Sequence, residues 1–382
     1  MRRIRHALVS GAVAIILSTG LISRPAFTAG QAGDFGRHWP RTDFSRATVA
    51  LEEIGHGGLP RDAIPAIDHP RFEAAGAAAD WLYPREPIVA LEIGGDARAY
   101  PIQILMWHEI VNDTVGGRPV AVTFCPLCNA ALAFERRVDG RLLDFGTTGK
   151  LRHSDLVMYD RQTESWWQQF TGSGIVGHFA GRSLTRVPAT IIAFEDFRKT
   201  HPDGRVLSRD TGHTRDYGRN PYRGYDRVGD RPFLLRGKPD PRLPAMQRVL
   251  GLSVAGLAVA YPLPGLVQRT PLNDDIGGTP VAVFAKGGTH SALDREQITA
   301  SRVVPSAAAY DRRLEGRRLT FERDNEGIVD RETGSRWNLL GHAVDGPLLG
   351  RRLTPLDSGV YFAFAWLAFQ PGSEIRSGDA PP

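Results

Sequence analysis

Short apolar runs alternate with polar, glycine-bearing turns along most of the chain, and that pattern predicts hairpins. Residues 89–93 and 97–102 flank Gly94-Gly95-Asp96. Residues 131–138 and 141–145 flank Asp139-Gly140, a two-residue turn signal because glycine accepts the positive φ such turns need. Residues 156–159 and 165–170 flank a further polar turn. Helical periodicity is brief, near 191–199 and more weakly at 102–110. The expected fold is mainly β with a few short helices.

The pattern also repeats. Leu91 to Ile102 matches Leu252 to Leu263, and Val111 to Val122 matches Leu272 to Val283, both at an offset of 161. With shifted offsets, 134–141 matches 310–317 and Asp160-Arg161-Gln162-Thr163-Glu164-Ser165 matches Asp330-Arg331-Glu332-Thr333-Gly334-Ser335. A glycine ladder, Gly172, Gly177 and Gly181, answers Gly341, Gly346 and Gly350. The reading is a tandem duplication of a barrel-like or sandwich-like β unit. It gives a signal peptide over 1–29, an irregular N-terminal arm over 30–85, a first copy over 86–245 and a degenerate second copy over 246–382.

Composition changes the picture in two places. Within 382 residues, 42 Gly and 27 Pro argue against a helix bundle. The net charge of +5 suggests nucleic acid, but Arg2, Arg3, Arg5 and Arg24 lie in the first 29 residues with no acid beside them. Subtracting those four leaves +1 and no basic stripe, so a nucleic-acid partner is not expected. The basic start, the apolar run over 7–22 and the small residues Ala26-Phe27-Thr28-Ala29-Gly30 read as an export signal. A periplasmic or extracellular protein with no stable membrane span after processing is expected.

Features present in one copy only are candidates for chemistry, whereas shared features are scaffold. By that test the Asp-Arg-x-Thr-x-Ser turn is structural. The only two cysteines, Cys125 and Cys128, face Lys286 and Thr289 in the second copy, and His108-Glu109 faces Arg269-Thr270. The segment from Phe145 to Asp155 is about six residues longer in the first copy than its counterpart in the second. The first copy is therefore the site-bearing one. Cys-x-x-Cys supplies half of a tetrahedral sulfur site, His108 is the third ligand expected, and Glu109 orients it or ligates. His153 and Met158 are weaker ligand candidates, and Trp166 and Gln168 are candidate pocket residues. The donor set favours a soft metal, copper foremost or zinc. Two other readings stand beside it: thiol–disulfide exchange at Cys125 and Cys128, and a noncatalytic binding module braced by a structural disulfide. His56, His69, His178, His201, His213, His290 and His342 read as scattered surface residues. No Gly-x-Ser-x-Gly, P-loop or dinucleotide fingerprint occurs, so no nucleotide cofactor is expected.

Five motifs in order carry a family resemblance: residues 107–113, Phe124-Cys125-Pro126-Leu127-Cys128-Asn129-Ala130, Phe145-Gly146-Thr147-Thr148-Gly149, residues 154–165 and Tyr217-Gly218-Arg219-Asn220-Pro221-Tyr222. Over residues 85–230 the chain resembles the secreted prokaryotic proteins of domain-of-unknown-function family 3179. Thr148 stands where Ser is expected, and Trp166 where an aliphatic residue is expected before Trp167. The resemblance implies export and supplies no activity.

Overall fold

The strands Pro87–Ile93 and Asp96–Pro101 pair from Ile88↔Pro101 to Ile93↔Asp96. Their connection is only Gly94-Gly95, with φ of 57° and 83°, a conformation that matches strand twist and excludes most side chains. Hairpins of this kind build nearly everything in a computed structural model that describes residues 36–376. The signal peptide read over 1–29 lies outside the described residues. Among the described residues no helix is long and apolar enough to cross a membrane.

Three sheets organise the first half. One orders Ala189–Ala193, Pro87–Ile93, Asp96–Pro101, Arg205–Leu207 and Phe72–Ala74. The next orders Arg186–Val187, Ala130–Glu135, Arg118–Cys125 and Ile110–Val115. The third orders Ile54–His56, Phe145–Arg152, Asp155–Asp160, Trp166–Gln168 and Ser173–Val176.

The second half has sheets of the same order. These are Asp357–Phe362, Arg248–Val254, Leu257–Pro262 and Glu374–Ile375; then Thr354–Pro355, Val303–Asp311, Thr279–His290 and Leu272–Ile276; then Phe321–Asp324, Gly327–Asp330, Arg336–Trp337 and Ala343–Asp345. The strands that only the first half has, Ile54–His56 and Phe72–Ala74, come from the N-terminal segment and add to sheet edges.

Shared sequence marks shared scaffold bond by bond. Thr163 N donates to Asp160 Oδ1 at 2.6 Å and Thr333 N to Asp330 Oδ1 at 2.7 Å. Trp167 Nε1 donates to Asp160 at 3.0 Å and Trp337 Nε1 to Asp330 at 2.8 Å. The middle rung of the glycine ladder has the same cause in both places: a Cβ on Gly177 would lie 3.1 Å from Ser165 Cα, and one on Gly346 2.8 Å from Ser335 Cα.

Helices are short and follow strands. Ile102–His108 ends where Glu109 turns left-handed, at φ 56°. The periodicity at 191–199 resolves into the strand Ala189–Ala193, which pairs with Pro87–Leu91, and the helix Phe194–Thr200. Adjacent β-branched residues, Thr190 to Ile192, favour the strand there.

The core does not divide between the two halves. One cluster joins Phe124, Cys128 and Phe170 to Tyr361, Phe364 and Trp366. Another joins Ile88 and Phe194 to Phe284, Tyr310 and Trp337. Phe170 stacks on Phe369 with centroids 4.8 Å apart. Each such ring buries enough apolar area to stabilise by about 1.5–3 kcal/mol, so the halves hold one another in place.

Candidate functional site

Strands Arg118–Cys125 and Ala130–Glu135 pair down to Cys125↔Ala130, leaving Pro126 to Asn129 as the turn. Cys128 N donates to Cys125 O at 3.2 Å and Asn129 N to Pro126 O at 3.3 Å, which coils the chain and brings the cysteines to the same side. Asn129 is left-handed, φ 51°, a state asparagine tolerates better than most residues. Its Nδ2 donates to Val360 O at 2.9 Å, and Phe362 N donates to Cys128 O at 3.0 Å. Tyr225 Oη adds a bond to Leu127 O at 3.0 Å. The turn is thus clamped by the strand Asp357–Phe362 of the second half.

A third donor meets the two sulfurs. His153 and Ser154 are both left-handed, and the chain re-enters the sheet at Asp155, first residue of the strand Asp155–Asp160. Ligand atoms of Cys125, Cys128 and Asp155 lie within 4.8 Å of one another, with relative exposures of 1%, 0% and 0%. Neither cysteine is in a disulfide. Asp155 Oδ2 accepts from Gln168 Nε2 at 2.6 Å and Phe170 N at 2.9 Å, whereas Oδ1 is buried with no hydrogen-bond partner.

Burial dominates the electrostatics. It lifts the Asp155 carboxyl to about 6 in spite of its hydrogen bonds, and pushes both thiols above the usual thiol range. Glu109, also buried, is pushed up to about 8 by loss of solvent and then by the neighbouring Asp155. Burial likewise holds the Tyr222 phenol far above its ordinary range, next to Glu109 and Cys125.

A pocket of about 180 Å³ opens beside Glu109. Glu109, Leu127, Leu156, Lys150, Tyr222 and Phe233 are among its lining residues, and Leu127 and Leu156 are the chain neighbours of Cys128 and Asp155. The tyrosine segment is pinned from the second half. Asn220 N donates to Glu296 O at 2.7 Å, Gly224 N to Asp294 O at 2.7 Å and Tyr225 N to Leu293 O at 3.1 Å. Asp226, fully buried, takes Arg248 at 2.8 Å and Arg302 at 2.7 Å.

The residues expected from sequence separate into two groups. Cys125, Cys128, Glu109 and Gln168 are in or beside the centre. His108 is engaged elsewhere: Nδ1 lies 2.7 Å from Pro65 O and Nε2 2.7 Å from Tyr217 Oη. Burial lowers its pKa to about 4, so it is neutral at pH 7. A carbonyl only accepts, so Nδ1 carries the proton and the Nε2 lone pair takes the tyrosine hydroxyl. His153 sits 3.6 Å from Glu53 and against the Phe369 ring. Met158 is core, paired with Trp167, and Trp166 is buried against Phe44.

Asp155 was not singled out from sequence, though the same internal comparison reaches it. The offset of 170 that aligns Asp160 with Asp330 sets Asp155 against Asn325, so this acid too is confined to the first half. Where the first half makes its cysteine turn, the second half keeps its strand through a register shift between Lys286 and Thr289: Thr279–His290 goes on to pair Thr289 with Val304, and then makes the excursion that braces the tyrosine segment.

No curated protein and no solved structure matches the chain. A family model described as a protein of unknown function, DUF3179, matches residues 61–373, which spans both halves and extends well beyond the motifs at 85–230. The chain belongs to the DUF3179 family.

Proposed function

We propose that the protein binds a borderline-soft metal ion at Cys125, Cys128 and Asp155, with Glu109 or a molecule in the adjoining pocket completing the coordination. The observation that carries this reading is the convergence of three buried donor residues, two thiols and a carboxylate, with ligand atoms within 4.8 Å of one another. An ionised carboxylate in that setting costs several kcal/mol unless a cation or proton faces it. Metal–sulfur bonds of about 2.3 Å and metal–oxygen bonds of about 2.0–2.2 Å place tetrahedral ligands roughly 3.3–3.8 Å apart, and these donors lie no more than 4.8 Å apart. A carboxylate in place of imidazole shifts the choice toward zinc, with copper second.

One competing reading has less support. A nucleophilic dithiol needs an accessible cysteine of lowered pKa, and here burial raises both thiols. Export remains part of the proposal on the pattern of residues 1–29, and so does duplication, supported by the matching sheet orders of the two halves.

The test is metal analysis of the purified full chain. About one equivalent of zinc or copper held at this centre is expected; that equivalent is lost in Cys125→Ser and bound more weakly in Asp155→Asn. A chain that takes up neither metal on dialysis, or that carries a Cys125–Cys128 disulfide by mass, overturns the proposal.

A further inference from the structure

Three polar side chains that sequence treats as unrelated meet at the seam of the two halves. Glu92 sits near the end of the strand Pro87–Ile93, His201 caps the C-terminus of Phe194–Thr200, and His342 directly precedes Ala343–Asp345, bridged antiparallel to Arg352. Glu92 Oε2 is 3.7 Å from His201 Nε2 and 3.5 Å from His342 Nε2, and all three ligand atoms fall within 4.8 Å of one another. The imidazoles stand nearly perpendicular, 86°, with centroids 5.3 Å apart. Asn338 Nδ2 ties the turn to the helix through Thr200 Oγ1 at 3.0 Å, and Asn338 Oδ1 accepts from His342 N at 3.1 Å.

We infer that Glu92, His201 and His342 form a second cation site, a His₂Glu set for a zinc-class divalent transition metal, with the Arg352 guanidinium as its resident competitor. Bonds of about 2.0–2.2 Å to nitrogen and oxygen put tetrahedral ligands roughly 3.3–3.6 Å apart, close to the 3.5 and 3.7 Å around Glu92 Oε2. Glu92 Oε2 and His342 Nε2 are both buried and face each other at 3.5 Å. Arg352 Nη1 is 2.7 Å from the same carboxylate oxygen but is not aligned as a hydrogen-bond donor to it, and Arg352 Nε is unpartnered. The Arg352 side chain is about a third exposed, so it can swing into solvent when a cation arrives. A cavity of about 30 Å³ beside these residues has room for the fourth ligand, a water. The set differs in kind from the thiol centre, because nitrogen and oxygen donors replace sulfur.

Cobalt(II) titration of the full chain tests it. Cobalt at this site gives visible ligand-field absorption without the near-ultraviolet sulfur-to-cobalt band that the thiol centre would give, so the two sites report separately. In a Cys125→Ser/Cys128→Ser chain, cobalt binding with no sulfur band is expected to persist, to disappear in Glu92→Gln and His342→Ala, and to tighten about two- to fivefold in Arg352→Gln as the weak, part-exposed ion pair is removed. Should the double serine chain fail to fold, the same loss is read as the difference between the unsubstituted protein and Glu92→Gln. A titration unchanged in His342→Ala and Glu92→Gln, or an affinity not raised in Arg352→Gln, overturns the inference whatever the thiol centre does.

Discussion

Asp155 and Glu109 bury two carboxyl groups within interacting distance of each other, and their proton affinities follow from that placement. In the metal-free protein both are raised, Glu109 from 4.5 to about 8 and Asp155 from 3.8 to about 6. The folded state therefore holds protons that the unfolded chain releases. Their stabilising contribution is full below about pH 4 and is lost as pH rises through 6 and then 8. Thermal melts of metal-free protein are expected to fall between pH 5 and pH 8, and Glu109→Gln to flatten the upper part of that fall. Saturating zinc is expected to reverse the trend, because ligation needs the deprotonated donors. A metal-free melting temperature that rises across the same window contradicts the assigned protonation states. Gln168→Ala, which removes a bond to Asp155 Oδ2, is expected to weaken metal binding about 10- to 100-fold by competition with a chelator, while Asp155→Asn weakens it further.

Among the elements, the cysteine turn depends on Asn129 twice, through its left-handed backbone and through its bond to Val360 O. Asn129→Ala forfeits both and is expected to destabilise by about 2–4 kcal/mol in urea unfolding. Asn129→Gly keeps the backbone state and forfeits only the bond, so its cost is expected to be smaller; equal costs would mean the backbone contributes nothing. This is also the scale at which the sequence spoke most clearly. Glycine pairs and period-two apolar runs fix hairpins locally, so the turn at Asp139-Gly140 and the paired scaffold turns at Asp160 and Asp330 were legible. The strand Ala189–Ala193 was harder to separate from the helix that follows, because a short apolar run fits both periods. Partnerships between distant segments were less legible still. His108 looked like a ligand because it precedes the cysteine strand and lacks a counterpart, yet Pro65 and Tyr217 take its nitrogens. No local pattern reports that Gln168 reaches Asp155, or that His201 and His342 meet across the seam.

At the scale of the molecule, the second half serves the first. The region that lacks cysteines supplies the strand that grips the cysteine turn and the excursion that holds Tyr222 and Tyr225 in place. Asp226 is the pivot, since it is fully buried and faces the nearly buried Arg248. Asp226→Ala leaves that guanidinium uncompensated and is expected to cost about 3–5 kcal/mol and to speed metal release to a chelator. Arg302→Ala removes a part-exposed partner of the same carboxylate and is expected to cost less than about 1 kcal/mol. The reverse ranking would show that the buried pair is not what anchors the tyrosine segment.

The central claim is a metal held by two sulfurs and a carboxylate, and X-ray absorption at the metal edge of the purified full chain tests it most directly. The expected spectrum has two sulfur scatterers at about 2.3 Å together with oxygen scatterers at about 2.0–2.2 Å, and Asp155→Asn shifts or removes the oxygen shell. A first shell of nitrogen and oxygen alone in a chain whose Cys125 and Cys128 are intact would contradict it.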